Sequence, residues 1–253
     1  MSEVYRPTWA TVDLGAIREN ARLLSGRAAP ARWLAVVKAD AYGHGSEAVA
    51  ETALAAGACG LGVATPGEAM RLRESGIAAP ILILGWTPTE AYDAMLDLGV
   101  SFTVFSERDG MGLAEYAAAR GKRAKVHFKV DTGMSRLGLA SGSEAEQAET
   151  VAIVTRIARL SGIEPMGLFT HLATADDDLD FARQQLARFV RVREGIALKG
   201  VELLSHAANS AALWNLPEAR FDMVRPGLSL YGYHPAGGNR GRALGLRPAL
   251  RWE

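Results

Sequence analysis

The chain has 253 residues, 49% of them hydrophobic and 22% charged, enough for one large α/β domain or two small ones. Its 28 basic and 28 acidic residues cancel, so charge gives no argument for nucleic acid or an anionic membrane surface as partner. The single cysteine, Cys59, excludes an intrachain disulfide framework and a multi-cysteine metal site; with no bilayer-length apolar stretch and no leader pattern, a cytoplasmic protein is expected.

Residues 4–14, Val4-Tyr5-Arg6-Pro7-Thr8-Trp9-Ala10-Thr11-Val12-Asp13-Leu14, read as a strand leading into a helix over 15–28. Short apolar runs then alternate with helical patterns. Strands are predicted at 33–37, 59–63, 81–84, 101–105, 125–130, 165–170, 202–205 and 221–224. Helices are predicted at 46–56, 66–75, 89–97, 107–120, 144–160, 178–197 and from 208 onward. Their first turns are polar, as in Ser106-Glu107-Arg108-Asp109, and several end in glycine, as at Gly57, Gly76, Gly99 and Gly121.

Eight strand–helix alternations predict an α/β fold with a parallel sheet, and eight is the number that closes a (β/α)8 barrel. A doubly wound open sheet is the alternative, but its glycine-rich phosphate turn is missing after the first strand. Gly60-Leu61-Gly62 falls inside a strand and reads as close packing. The barrel is expected over 11–240. The tail passes through the polar loop Ala236-Gly237-Gly238-Asn239-Arg240-Gly241 and stops on Pro248-Ala249-Leu250-Arg251-Trp252-Glu253, a strand that has only begun. A truncated chain is the expectation, with 1–10 and 241–253 as remnants of a second, strand-rich domain. The side chains of Val4, Trp9, Leu250 and Trp252 would then lack cover and form an exposed patch or a non-native dimer contact.

Polar residues gather after the strands. Lys38 follows the first, Lys129 and Asp131 close the fifth with Arg136 beyond, and His171 ends the sixth. His206 and Asn209-Ser210 follow the seventh, and Arg225-Pro226-Gly227 the eighth. In a barrel these loops converge on one face. Each residue has a plain reading too. His171 could bond a neighbouring turn, Arg225 could pair with Asp222 or cap a helix, and Asn209-Ser210 could simply start one. Taken together, an amine nucleophile, a hydroxyl-and-amide cradle suited to phosphate, and an arginine without an obvious partner suggest pyridoxal phosphate, held by Lys38 as a Schiff base. Metal chemistry is the weaker competitor, because the five histidines show no ligand spacing.

The stretch Val37-Lys38-Ala39-Asp40-Ala41-Tyr42-Gly43-His44-Gly45 resembles the cofactor-lysine motif of the bacterial alanine racemases. The likeness continues in His127-Phe128-Lys129-Val130-Asp131-Thr132-Gly133-Met134-Ser135-Arg136-Leu137-Gly138, in Thr170-His171-Leu172-Ala173-Thr174-Ala175-Asp176, in His206-Ala207-Ala208-Asn209-Ser210-Ala211-Ala212 and in Val224-Arg225-Pro226-Gly227. The resemblance implies pyridoxal 5'-phosphate, interconversion of L- and D-alanine that supplies D-alanine to peptidoglycan, and a homodimer. It implies Lys38 as cofactor lysine and one acid–base group. It places Tyr42, Asn209, Ser210, Gly227 and Leu228 at the phosphate, and Leu84 on the cofactor wall. Arg225 would meet the pyridine nitrogen, with His171 against the ring and orienting Arg225. Arg136 would meet the phenolic oxygen and the substrate carboxylate, positioned by a carbamylated Lys129. The family's second base is a tyrosine from the partner's C-terminal β-domain, and none of the tyrosines at 5, 42, 92, 116, 231 and 233 matches it. Such a chain would bind cofactor yet racemise poorly. A single-domain pyridoxal-phosphate homeostasis protein and a related barrel enzyme acting on another amino acid are the alternatives.

Overall fold

The structure, a computed structural model, describes residues 8–253; the first part of the segment predicted over 4–14, Val4 included, lies outside them. The first half comprises β1 (Ala10–Val12), α1 (Leu14–Ala28), β2 (Arg32–Val36), the turn α2 (Lys38–Gly43), α3 (Ser46–Ala55), β3 (Gly60–Val63), α4 (Pro66–Glu74), β4 (Ile81–Ile83), α5 (Tyr92–Asp97), β5 (Phe102–Val104) and α6 (Glu107–Ala119). The second comprises β6 (Ala124–Asp131), β7 (Leu139–Ala140), α7 (Glu144–Ala158), β8 (Ile163–Phe169), α8 (Leu179–Leu198), β9 (Leu204–His206), α9 (Ser210–Asn215), β10 (Met223–Val224), α10 (Arg240–Ala243) and β11 (Leu250–Trp252). Helix starts follow local chemistry. Asp13 accepts from the Ala16 N–H and Ser106 from the Asp109 N–H, while Thr65 with Glu68 and Ser143 with Glu146 close reciprocal capping boxes.

The strands β3, β4 and β5 are buried along their whole length, as strands covered on both faces must be. Parallel pairing runs β10–β2–β3–β4 on one side and β5–β6–β8–β9 on the other, with the short β7 against β6. Two seams join them. At the first, the Ser101 N–H donates to Ile81 O and the Ile83 N–H to Ser101 O. At the second, the Asp222 N–H donates to Ser205 O at 3.1 Å and the Ser205 N–H to the Asp222 carboxylate at 2.7 Å. The eight parallel strands therefore close into a (β/α)8 barrel.

Alternation along the strands separates two cores. Trp33, Ala35, Ile81 and Ile83 join the large core between strands and helices, while Leu34, Leu82 and Met223 form a separate small cluster with Cys59, Leu84 and Leu204 against it. Gly60 and Gly62 mark close packing in this layer. A Cβ on Gly60 would lie 2.7 Å from Pro80 O, and one on Gly62 would lie 3.1 Å from both Leu34 and Leu84 side chains. Outside the barrel, β1 and β11 form a two-stranded antiparallel ribbon. The buried Asn20 of α1 ties the tail to the barrel, donating to Leu230 O and Arg247 O and accepting from the Arg247 N–H. On the ribbon, Trp9 and Trp252 stay largely exposed and Leu250 is half-buried.

Candidate active site

The loops at the C-terminal ends of the strands surround a cleft of about 440 Å³, a volume suited to a small cofactor with its substrate. Lys38, Tyr42, Leu84, Lys129, Arg136, His171, Asn209, Ser210, Arg225, Gly227 and Leu228 all line it. Residues scattered over nearly 200 positions of sequence thus meet in one mouth because parallel strands all end there.

Lys38 leaves β2 directly into a left-handed turn. Ala39, Asp40, Ala41 and Tyr42 have φ between 50° and 54°, a conformation costing about 1–2 kcal/mol for each residue that is not glycine. Gly43 and Gly45, also at positive φ, release the chain into α3. Several contacts offset the strain. Ala41 is fully buried and its N–H donates to Val37 O at 2.8 Å; the Asp40 carboxylate accepts the Ser46 N–H at 2.8 Å. The ring of Tyr231 lies 4.9 Å from that of Tyr42 and 4.6 Å from that of His44, and its hydroxyl donates to Val36 O. The turn brings the Tyr42 hydroxyl against Gly227, where a Cβ would approach it to 2.7 Å. Burial pushes the Tyr42 phenol up, so it enters the cleft as a neutral donor.

Arg225 is buried, and no carboxylate among the described residues pairs with it. Its guanidinium donates to Thr170 O, His206 O and Ala207 O, and to His206 Nδ1 at 2.8 Å. Because a guanidinium only donates, His206 carries its proton on Nε2 and passes it as a hydrogen bond to His127 Nδ1, 2.9 Å away. Burial and the Arg225 charge keep both imidazoles neutral, His127 pulled down to about 3 and His206 well below its ordinary value. Burial also draws Arg225 down to about 9, which leaves it charged at neutral pH. Phe169 stacks on His206 at 4.8 Å. The arginine is thus held by His206 and three carbonyls rather than by His171, and Asp222 is occupied at the β9–β10 seam instead of pairing with it.

Lys129 is buried at the end of β6. Desolvation, reinforced by Arg136 and Arg225, pulls its amine down to about 8. Beyond it the Asp131 carboxylate organises the loop that carries Arg136. It accepts from the Gly133, Ser135 and Arg136 N–H groups at 2.9–3.0 Å. Burial raises this carboxyl, but the backbone donors outweigh it and leave it below the usual range. Desolvation and the charges of Arg225, Arg136, Lys129 and Lys38 pull His171 down to about 3. At the far end Asn209 caps α9, its side chain accepting the Ala212 N–H, and Ser210 Oγ accepts the Gly227 and Ser229 N–H groups at 3.0 and 3.2 Å.

The sequence pattern of the alanine racemase N-terminal domain matches residues 12–235. The chain belongs to that family. It is 44% identical over 250 residues to an alanine racemase of Symbiobacterium thermophilum, covering 98% of this chain and 64% of that protein. An alanine racemase of Desulforamulus reducens is 41% identical, covering 96% of this chain and 65% of the relative. Among solved structures, the alanine racemase of Clostridium difficile in complex with cycloserine superposes with a TM-score of 0.90 at 33% identity, over 99% of this chain and 68% of that one. The enzyme of D-cycloserine-producing Streptomyces lavendulae superposes equally well, at 35% identity over 99% of this chain and 65% of that one. The chain spans about two-thirds of the length of these alanine racemases.

Three residues of this alanine racemase N-terminal domain enter the site without having been singled out from sequence. Gln185 of α8, fully buried, accepts the Ala173 N–H and donates to Thr132 Oγ1 and His171 O, tying together the loops after β6 and β8. Tyr231 packs beneath the left-handed turn, and Glu68 bonds it from the side. Of these only Glu68 had a local signal, Thr65-Pro66-Gly67-Glu68 being a capping-box pattern.

Proposed function

We propose that this chain binds pyridoxal 5'-phosphate and supplies the barrel half of an enzyme that interconverts L- and D-alanine. The observation that carries the reading is the donor set of the cleft. It has an amine at Lys38, a buried guanidinium at Arg225, and a cradle where the Tyr42 hydroxyl lies so near Gly227 that a side chain there would fill it. These groups fit the cofactor: Lys38 would hold its aldehyde carbon, Arg225 its ring nitrogen, and Tyr42, Asn209, Ser210, Gly227 and Leu228 its phosphate, with Leu84 along the wall and His171 beside the ring. When bound, the cofactor delocalises the negative charge left when a proton leaves the α-carbon of an amino acid.

The chain's residues then do the following. Arg225 stays a cation and would donate to the ring nitrogen without handing over a proton, since its pKa near 9 lies well above that of a pyridine. The neutral His206 and His127 behind it give no carboxylate that would quench its charge. The Lys38 amine takes or returns the α-proton on one face of the substrate. Arg136, held by the Asp131 loop, orients the substrate carboxylate as a forked donor. Lys129, at a pKa of about 8, keeps an appreciable neutral fraction near physiological pH. Its amine can add to carbon dioxide, losing a proton and leaving a carbamate that would pair with Arg136. Among the described residues the lining of the cleft includes one tyrosine, Tyr42, and it sits beside Gly227, where the phosphate would lie. The second face of the α-carbon therefore needs a group from outside these residues, which accords with a homodimer. Cytoplasmic location and D-alanine supply for the cell wall belong to the same reading.

The decisive experiment is an absorbance titration of the 253-residue protein with pyridoxal phosphate, followed by borohydride reduction and peptide mapping. The cofactor should be fixed on Lys38, and Lys38→Ala should abolish the fixation. A colourless protein with no fixed cofactor would overturn the reading. Alanine interconversion by this chain alone should be far below that of a racemase supplying both proton groups.

A further inference from the structure

The left-handed turn after Lys38 is strained, and strained turns persist only where their surroundings over-determine them. Most of its hydrogen bonds stay within the segment, as those of the Ala41, Gly45 and Ser46 N–H groups do. Glu68 is different. One of its carboxylate oxygens accepts the Ala39 N–H at 2.8 Å, and the other accepts the Ala64 N–H at 2.6 Å and the Thr65 N–H at 3.3 Å. A single side chain from α4 therefore ties the peptide unit that follows Lys38 to the end of the neighbouring strand β3. Both of its oxygens are engaged by backbone donors, in bonds strengthened by the carboxylate charge.

We infer that Glu68 is a positioning residue for Lys38. Its carboxylate fixes the plane of the Lys38–Ala39 peptide, and with it the direction from which the amine enters the cleft. The inference rests on the reading of Lys38 as the cofactor-holding amine. Glu68 also serves the capping box of α4, in which Thr65 Oγ1 accepts the Glu68 N–H at 3.3 Å. The two roles separate by substitution. Thr65→Ala removes half of the cap and leaves the Ala39 bond, whereas Glu68→Ala removes both. Glu68→Gln retains one acceptor oxygen in place of two.

The test compares wild type with these three variants of the full chain. Amide exchange over residues 39–45 is measured without cofactor. The lysine-linked absorbance band at saturating pyridoxal phosphate and the rate of borohydride fixation are measured with it. Glu68→Ala should speed exchange and slow fixation by about tenfold or more, the effect of losing a charge-assisted hydrogen bond. It should also move absorbance from the lysine-linked band toward the free aldehyde. Glu68→Gln should recover part of each effect, and it answers the question if the alanine variant fails to fold. Thr65→Ala should lower the melting temperature and leave band, fixation and exchange as in wild type. The inference is overturned if Glu68→Ala and Glu68→Gln only lower the melting temperature, or if Thr65→Ala reproduces their spectra. If wild type fixes no cofactor, the cofactor reading falls, while exchange over 39–45 still decides whether Glu68 holds the turn.

Discussion

Gly227 shows how much a single position can settle in this cleft. The absent side chain leaves room for the Tyr42 hydroxyl, and a methyl group there would have to displace a phenol packed on Tyr231. Gly227→Ala should weaken pyridoxal-phosphate binding by about tenfold or more, one misplaced polar contact being worth roughly that much. The fold should survive, so titration of cofactor absorbance, paired with a melting curve, checks the claim. That Lys38, Arg136 and Arg225 line the cleft could be anticipated from sequence, because each follows a predicted strand. Gln185, Tyr231 and Glu68 were not. Their types are ordinary in helices, and only their partners across the barrel mouth give them a role. His206 illustrates the same limit. Its place after a strand was visible, but that it, rather than His171, bonds Arg225 depends on which imidazole points into the barrel.

The turn Lys38–Gly43 is the element that departs most from local expectation. Intrinsic preferences describe right-handed structure, and Ala-Asp-Ala-Tyr carries no signal for the opposite hand. That gives a test by sign. In a right-handed helix an exposed Ala→Gly change costs about 1 kcal/mol, whereas relief of a left-handed alanine gains about that much. Ala39→Gly should therefore be neutral to stabilising by about 1 kcal/mol in urea denaturation, and a clear loss would contradict the left-handed turn. The strands were easier. Their apolar runs and glycine-ended helices locate all eight to within a few residues, because strands covered by helices on one face and by the barrel interior on the other are mostly buried and so mostly apolar. Reading Gly60 and Gly62 as packing glycines agrees with their surroundings. Gly60→Ala should cost about 1–3 kcal/mol, since the new methyl meets the backbone of Pro80 instead of a side chain that can move aside. The shift in denaturation midpoint measures it.

At the scale of the whole molecule, the interior of the barrel is polar beneath the cleft, and that sets how stability responds to acid. His127 and His171 are held neutral down to about 3, and His206 is depressed as well, against an ordinary value of 6.5. The unfolded chain binds these protons first as pH falls. The stabilisation is complete above about pH 6.5 and is lost progressively toward pH 3, at about 1.4 kcal/mol per pH unit for each histidine that is fully protonated only when unfolded. Urea midpoints should fall steadily from pH 7 to pH 5. His127→Gln should flatten the slope, and a midpoint independent of pH over that range would refute the buried neutral pair.

Sequence by itself determined the repeating strand–helix order, the barrel it closes into, and which chemically distinctive side chains stand at the strand ends. It could do so because burial and capping are local constraints that leave periodic, short-range marks. Only the tertiary structure decided how the groups act on one another. The packing of Tyr231 beneath the left-handed turn after Lys38, the chain from Arg225 through His206 to His127, and the bridge from Glu68 to Ala39 are all contacts between separate elements. Their geometry follows from the closure of the barrel, which brings separate strand ends within hydrogen-bonding distance, and no local pattern records that.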